Sequence, residues 1–183
     1  MVGLGNPGPE HVLTRHNAGF MVADELASRW GLGRTRKRFG GTIREGRLSE
    51  GLRDGSRPRV TLLCPQTYMN DAGRSVGPAR GSYKLGLERV LVVHDEIDLP
   101  FGEVRSRLGG GLAGHNGLKS LRRELGGADF WRVRVGVGRP QGSDPEVVSA
   151  YVLGRFSESP AQVRELIGRA ADEVQRVMLE DAS

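Results

Sequence analysis

The sequence predicts a three-layer α/β domain, with helices on both sides of a sheet that is partly antiparallel. Three observations lead there. Strand-like apolar or alternating runs take turns with runs whose apolar residues recur at helical spacing. Residues 90–93 (Val-Leu-Val-Val) are apolar without a break, as in a strand buried on both faces. Two strand-like runs, near 42–48 and 60–64, flank the polar, glycine-containing stretch 50–58, which reads as a hairpin loop and requires antiparallel pairing. With 183 residues, the chain fits one domain spanning 1–183.

Composition narrows the class. Hydrophobic content of 37% and 28 glycines exclude a disordered chain and suggest many tight turns. The net charge is +5, largely through arginine, which suits a polyanionic partner without saying anything about fold. Cys64 is the single cysteine, so an internal disulfide is excluded and a reducing compartment is expected. Its place in an apolar strand fits inert packing. No apolar run is long enough to span a membrane, and no signal peptide is evident.

In chain order, residues 1–4 read as a short strand. Gly3, Gly5 and Gly8 then spell G-x-G-x-x-G, but Pro7 and Pro9 follow where a nucleotide-binding fold needs a helix. The stretch reads instead as a tight loop presenting Asn6. Ala18, Val22, Leu26 and Trp30 recur at helical spacing, Gly31 ends the helix and Asn17 suits its N-cap. His16 therefore precedes a helix N-terminus, where the positive end of the dipole should keep it neutral near pH 7 and able to accept a proton. Taken alone, it reads better as a surface histidine that merely caps the helix. The basic stretch 34–38 leads into the two hairpin strands. The second of these runs into Pro65-Gln-Thr-Tyr-Met-Asn70, a strand end that delivers Asn70. Gly73-Arg-Ser75-Val-Gly77 matches the nucleophile elbow of serine hydrolases. A polar loop before Ser75 and Pro78 soon after it argue against a strand–serine–helix corner.

The stretch 90–121 organises the rest. Its apolar run stops in charge at His94, Asp95, Glu96 and Asp98. A glycine turn at 109–111 leads to His115, Asn116 and a helix starting near Leu118. A buried strand ending in carboxylates beside a glycine-rich loop is where open α/β sheets place active sites. Val133, Val135 and Val137 alternate with Arg132 and Arg134, predicting a strand with one buried and one basic face. Arg107, beside Leu108, reads as another outward arginine. Asp144-Pro145 opens a short helix to about Tyr151. Ser159-Pro-Ala-Gln162 starts the last helix, whose stripe is Val163, Leu166, Ile167, Ala170, Val174 and Val177.

The blocks GLGNPG, TRHNAGF, PQTYMN, HDEIDLPFG, LGGGLAGHNGLKSL and FWRVRVGVGRP, in this order across the whole chain, resemble bacterial-type peptidyl-tRNA hydrolases. The resemblance implies a mixed, twisted sheet between helices. It also implies a monomeric, cytoplasmic esterase without metal or cofactor, membrane association or obligate protein partner, whose substrate is peptidyl-tRNA. His16 falls on the family's catalytic histidine and Asp95 on its partner. Asn6, Asn70 and Asn116 fall on asparagines that bind substrate and water, and Met69 on a position beside the 3′-terminal adenosine. Arg107 and Arg134 fall on two basic positions that grip a tRNA phosphate. His11 stands where the family usually has a tyrosine at the site entrance, and the residues that usually precede the first strand are missing. His16 would act as general base with Asp95 fixing its tautomer, and the asparagines would donate to the oxyanion. No serine or cysteine suits a covalent route. His16, His94, Asp95, Asp98 and His115 lack a standard metal-ligand spacing, so His94 and His115 are expected to be supporting residues. The competing reading is an RNA-binding relative that has lost catalysis, as in plant organellar splicing factors of this fold. Retention of His16, Asp95 and all three asparagines favours the enzyme.

Overall fold

The computed structural model describes residues 1–48, 50–52 and 55–180. Within them lie strands β1 (Val2–Gly3), β2 (Arg36–Arg38), β3 (Gly41–Arg47), β4 (Arg59–Pro65), β5 (Leu91–Glu96), β6 (Val104–Leu108) and β7 (Trp131–Gly136). They form one sheet in the order β2-β3-β4-β1-β5-β7-β6. The hairpin partners β3 and β4 are antiparallel, as are β2–β3 and β6–β7; β1 is parallel to β4 and β5, and β5 to β7. The sheet is therefore mixed, as expected. The predicted hairpin loop lies partly outside the described residues.

Alternation along each strand creates two cores. On one face, Val93, Val133 and Val135 pack with α1 (Ala18–Arg29) and α5 (Pro160–Glu180), through residues such as Val22, Leu26, Leu166, Ala170 and Val174. On the other, Val2, Leu63, Val92 and Phe130 pack with α2 (Gly73–Tyr83) and α3 (Asn116–Leu125), through Val76, Leu118 and Leu121. The last helix starts where the sequence places it: Gln162 N–H donates to Ser159 Oγ at 3.3 Å, and Ser159 N–H to Gln162 Oε1 at 3.0 Å. In α4 (Pro145–Leu153), Asp144 Oδ1 caps by accepting the Glu146 N–H at 2.8 Å.

Four expectations change. The elbow-like Gly73–Gly77 lies inside α2, a helix the glycines and Pro78 concealed. Ser75 is fully buried there, and packing against α3 outweighs the poor helix propensity. The basic stretch 34–38 contributes the edge strand β2, fully exposed, where charge blunts the open edge. Arg132 is buried rather than outward. Its terminal nitrogens donate to the carbonyls of Gly110, Gly111 and Ala128, so the arginine holds the glycine turn in place. Asn17 sits at the N-cap of α1 but makes no capping bond, because its side chain is engaged elsewhere.

Helix α1 lies unusually close to the sheet. A Cβ on Gly19 would fall 2.4 Å from both Leu4 N and Val93 O, and one on Gly3 would fall 2.4 Å from Gly19 O. Only hydrogen fits at either position.

Candidate active site

The groups singled out in the sequence converge at the C-terminal ends of β1, β4 and β5 and the N-terminus of α3. The carboxyl ends of parallel strands are where an open sheet leaves a crevice. Together with one face of α4 they line a cleft of about 720 Å³ that includes Asn6, His16, Met69, Asn70, Asp95 and Asn116. A slightly larger cavity, about 780 Å³, lies at the opposite end of the strands around Met1, Arg59 and Val60 and contains none of these groups.

Asp95 is the hub. It is 3% exposed at the end of β5 and receives two histidines. His16 Nδ1 lies 2.9 and 3.0 Å from its two carboxylate oxygens, and His115 Nε2 lies 3.0 Å from Oδ1. The tautomers follow from the partners. His115 Nδ1 accepts the N–H groups of Gly117 and Leu118 and thereby caps α3, so its proton resides on Nε2 and is donated to Asp95. His16 donates from Nδ1, which leaves Nε2 as a bare acceptor on a side chain that lines the cleft. Burial would raise the Asp95 pKa, but the two histidines outweigh it and hold the carboxyl far below its ordinary range.

His16 departs from expectation. It belongs to a 3-10 turn, Arg15–Asn17, that leads into α1. Burial disfavours its charged form, yet the charge and hydrogen bond of Asp95 prevail and raise its pKa above the ordinary 6.5. The carboxylate is in contact and the helix dipole is diffuse, so the dipole argument fails here.

Asn6 is locked on three sides. Its N–H donates to Asn17 Oδ1 at 2.9 Å, its carbonyl accepts from Asn17 Nδ2 at 3.0 Å, and its own Oδ1 accepts the Met69 N–H at 2.8 Å. Its side-chain amide nitrogen is left as the donor for the cleft. Asn70 and Asn116 are exposed on the cleft wall, and Met69 is buried in its floor. His11 does not line the cleft. It ends the 3-10 turn Pro9–His11, and its carbonyl receives the Thr14 N–H and Oγ1–H, which braces the segment leading to His16.

Arg107 and Arg134 sit apart, in an adjoining cavity of about 240 Å³ that also contains His94, Glu96 and Arg132. Arg107 is exposed as expected, whereas Arg134 is largely buried and pairs through Nε with Glu96 at 3.0 Å. His94 Nδ1 donates to the Asp95 carbonyl at 2.7 Å, and burial followed by the neighbouring His115 pushes its pKa down to about 3.

The nitrogens of His16 and His115 and an oxygen of Asp95 lie within 4.8 Å of one another, a spacing a metal could use. The α3 cap fixes the proton of His115 on the nitrogen that faces Asp95, so the arrangement is satisfied by hydrogen bonds. Sequence reasoning missed the Asn17 lock on Asn6, the pairing of Glu96 with Arg134 and the capping role of His115. It also missed Arg15, which is 6% exposed and donates to the Tyr151 and Arg155 carbonyls, tying the His16 turn to the end of α4. Only the HN pair at 115–116, just ahead of a helix, carried a readable signal.

Comparison with known proteins shows the family. The sequence model of the family described as Peptidyl-tRNA hydrolase matches residues 1–183. The chain is 53% identical over 158 residues to a peptidyl-tRNA hydrolase of Geobacter sulfurreducens, covering 86% of this chain and 77% of that one. It is 46% identical over 181 residues to one from Citrifermentans bemidjiense, covering 98% and 91%. The crystal structure of peptidyl-tRNA hydrolase from Acinetobacter baumannii superposes with a TM-score of 0.82 at 39% identity, over 97% of this chain and 85% of that one. Fold, site and sequence converge, and the chain belongs to the peptidyl-tRNA hydrolase family.

Proposed function

We propose that this protein hydrolyses the ester between a peptide and the 3′ ribose of tRNA, with His16 as general base. The observation that carries the reading is the contact of His16 Nδ1 with both carboxylate oxygens of Asp95, on a side chain that lines the cleft; in the neutral ring this assigns the proton to Nδ1 and leaves Nε2 as the acceptor. Nε2 takes a proton from water as the water oxygen attacks the ester carbonyl. Asp95 stabilises the imidazolium that forms. The proton then passes to the departing 3′ oxygen as the tetrahedral intermediate collapses. The Asn6 amide, immobilised by Asn17 and the Met69 backbone, is a preorganised donor for the oxyanion; such a donor is typically worth about 3–4 kcal/mol. Asn70 and Asn116 orient the water and the peptide, and Met69 supports the terminal adenosine.

The cavity holding Arg107 and Arg134 grips a phosphate of the tRNA backbone through charge-assisted bonds. The protein works as a cytoplasmic monomer, without metal, cofactor or obligate protein partner. Among the described residues no helix is long and apolar enough to cross a membrane. His11 serves the site through its backbone brace.

The test is release of N-acylated amino acid from charged tRNA by purified protein, with free aminoacyl-tRNA as control. Rapid hydrolysis of the blocked substrate alone is expected. Binding of tRNA without release would instead establish a relative that has kept only RNA binding.

A further inference from the structure

The arginine cavity contains a carboxylate that an anion site does not need. Glu96 is 4% exposed, lines the cavity beside three guanidinium groups, and is the one acidic residue among the described residues that line it. The three arginines are not equivalent. Arg132 spends its terminal nitrogens on the backbone of the glycine turn and of Ala128. Arg107 has no hydrogen-bond or ion-pair partner among the described residues. Arg134 is held through Nε by Glu96 Oε2 at 3.0 Å, and its terminal nitrogens have no hydrogen-bond partner among the described residues. The other oxygen, Oε1, accepts the Asp98 N–H at 3.0 Å, which pins the carboxylate in place and prevents it from swinging away when an anion arrives.

A phosphate reaching the terminal nitrogens of Arg107 and Arg134 therefore meets a fixed negative charge at the Nε edge of the Arg134 guanidinium. The desolvated setting strengthens that repulsion. It follows that the cavity carries two net positive charges where three were available.

We propose that Glu96 is a built-in competitor for the substrate phosphate, weakening the arginine cavity enough that deacylated tRNA leaves after hydrolysis. The inference rests on the reading that this cavity grips tRNA. Product and substrate share the same phosphates, so a cavity that held them too tightly would retain the deacylated product. The repulsion acts on both alike; it limits how long the product stays.

The experiment measures the dissociation constant of deacylated tRNA over a range of salt concentrations, with circular dichroism to verify folding. Glu96→Gln keeps the shape and removes the charge. It should bind deacylated tRNA at least about threefold more tightly, with a log–log salt slope steeper by about 0.7 to 0.9, the increment for one more effective charge. With whole peptidyl-tRNA in excess, it should show a burst of product followed by a slower steady state. If Glu96→Gln does not fold, Arg134→Gln is compared with Arg134→Gln/Glu96→Gln, which leaves no buried charge unpaired; the double variant should bind the more tightly. Unchanged or weaker binding on loss of the carboxylate would overturn the proposal and leave Glu96 as a mere support for Arg134. The underlying reading fails separately. If Arg107→Ala/Arg134→Ala leaves tRNA affinity untouched, the cavity does not hold phosphate and the role of Glu96 falls with it.

Discussion

In the proposed mechanism His16 becomes a base through the proton on its other nitrogen, and the contact with Asp95 is what places that proton on Nδ1. Replacing His16 with alanine should lower kcat by at least about a hundredfold, the lower range for a general base, with little change in KM. Steady-state kinetics on peptidyl-tRNA checks this, and a folded variant with near wild-type turnover would remove His16 from the mechanism. Because Asp95 raises the His16 pKa above 6.5, the proposed base should become protonated, and activity should fall, as the pH drops through that raised value. Asp95→Asn removes the supporting charge. Turnover should fall, though less than in His16→Ala, and the acidic limb of the pH–rate profile should move to lower pH. A limb that stays where it is would mean that another group titrates. The Asp95 partnership itself was legible only through family resemblance, since 79 residues separate the two side chains and nothing local in either segment announces the other.

Among the elements, those whose signals are local were the readable ones. Helix α5 begins at a reciprocal serine–glutamine cap, α4 at an aspartate followed by proline, and β7 shows its valines at every second position. Helix α2 had no such signal. Its Gly73, Gly77 and Pro78 argue for a loop in isolation, and only the tertiary contact explains them. A Cβ on Gly73 would fall 2.4 Å from the Ser120 carbonyl oxygen of α3, so the glycine is what lets the two helices touch. Gly73→Ala should therefore destabilise the protein by about 1–3 kcal/mol, the usual range for overpacking, although alanine is the better helix former. Urea denaturation measures it, and a stabilised variant would show that α2 and α3 can move apart freely. Arg132 escaped the sequence reading for a related reason: the alternation in β7 places it correctly on one face, but says nothing about the glycine turn that covers that face.

For the molecule as a whole, the proposed grip of the arginine cavity on a tRNA phosphate can be tested directly. Arg107→Ala/Arg134→Ala should raise KM for whole peptidyl-tRNA, flatten its salt dependence, and spare a short N-acyl-aminoacyl fragment that lacks the phosphate. Equal damage on both substrates would point to a structural role instead. Acid sensitivity should be traceable to His94. Its folded pKa, near 3, lies below the ordinary 6.5, so the stability it contributes is complete above pH 6.5 and is lost as the pH falls towards 3. In His94→Asn, which retains a donor for the Asp95 carbonyl but does not titrate, the decline of the thermal midpoint between pH 6 and pH 4 should be shallower. The topology was readable in its antiparallel half, through the hairpin, but the central place of the two-residue β1 was not, because so short a strand carries no periodicity. That strand also bears on how the protein tolerates change. Gly3 and Gly19 let α1 rest backbone to backbone on β1 and β5, and so set the separation of the segments that carry His16 and Asp95. In a saturation scan scored by growth or by turnover, these two positions should be as intolerant as His16 and Asp95 themselves, though neither has a side chain to offer the substrate.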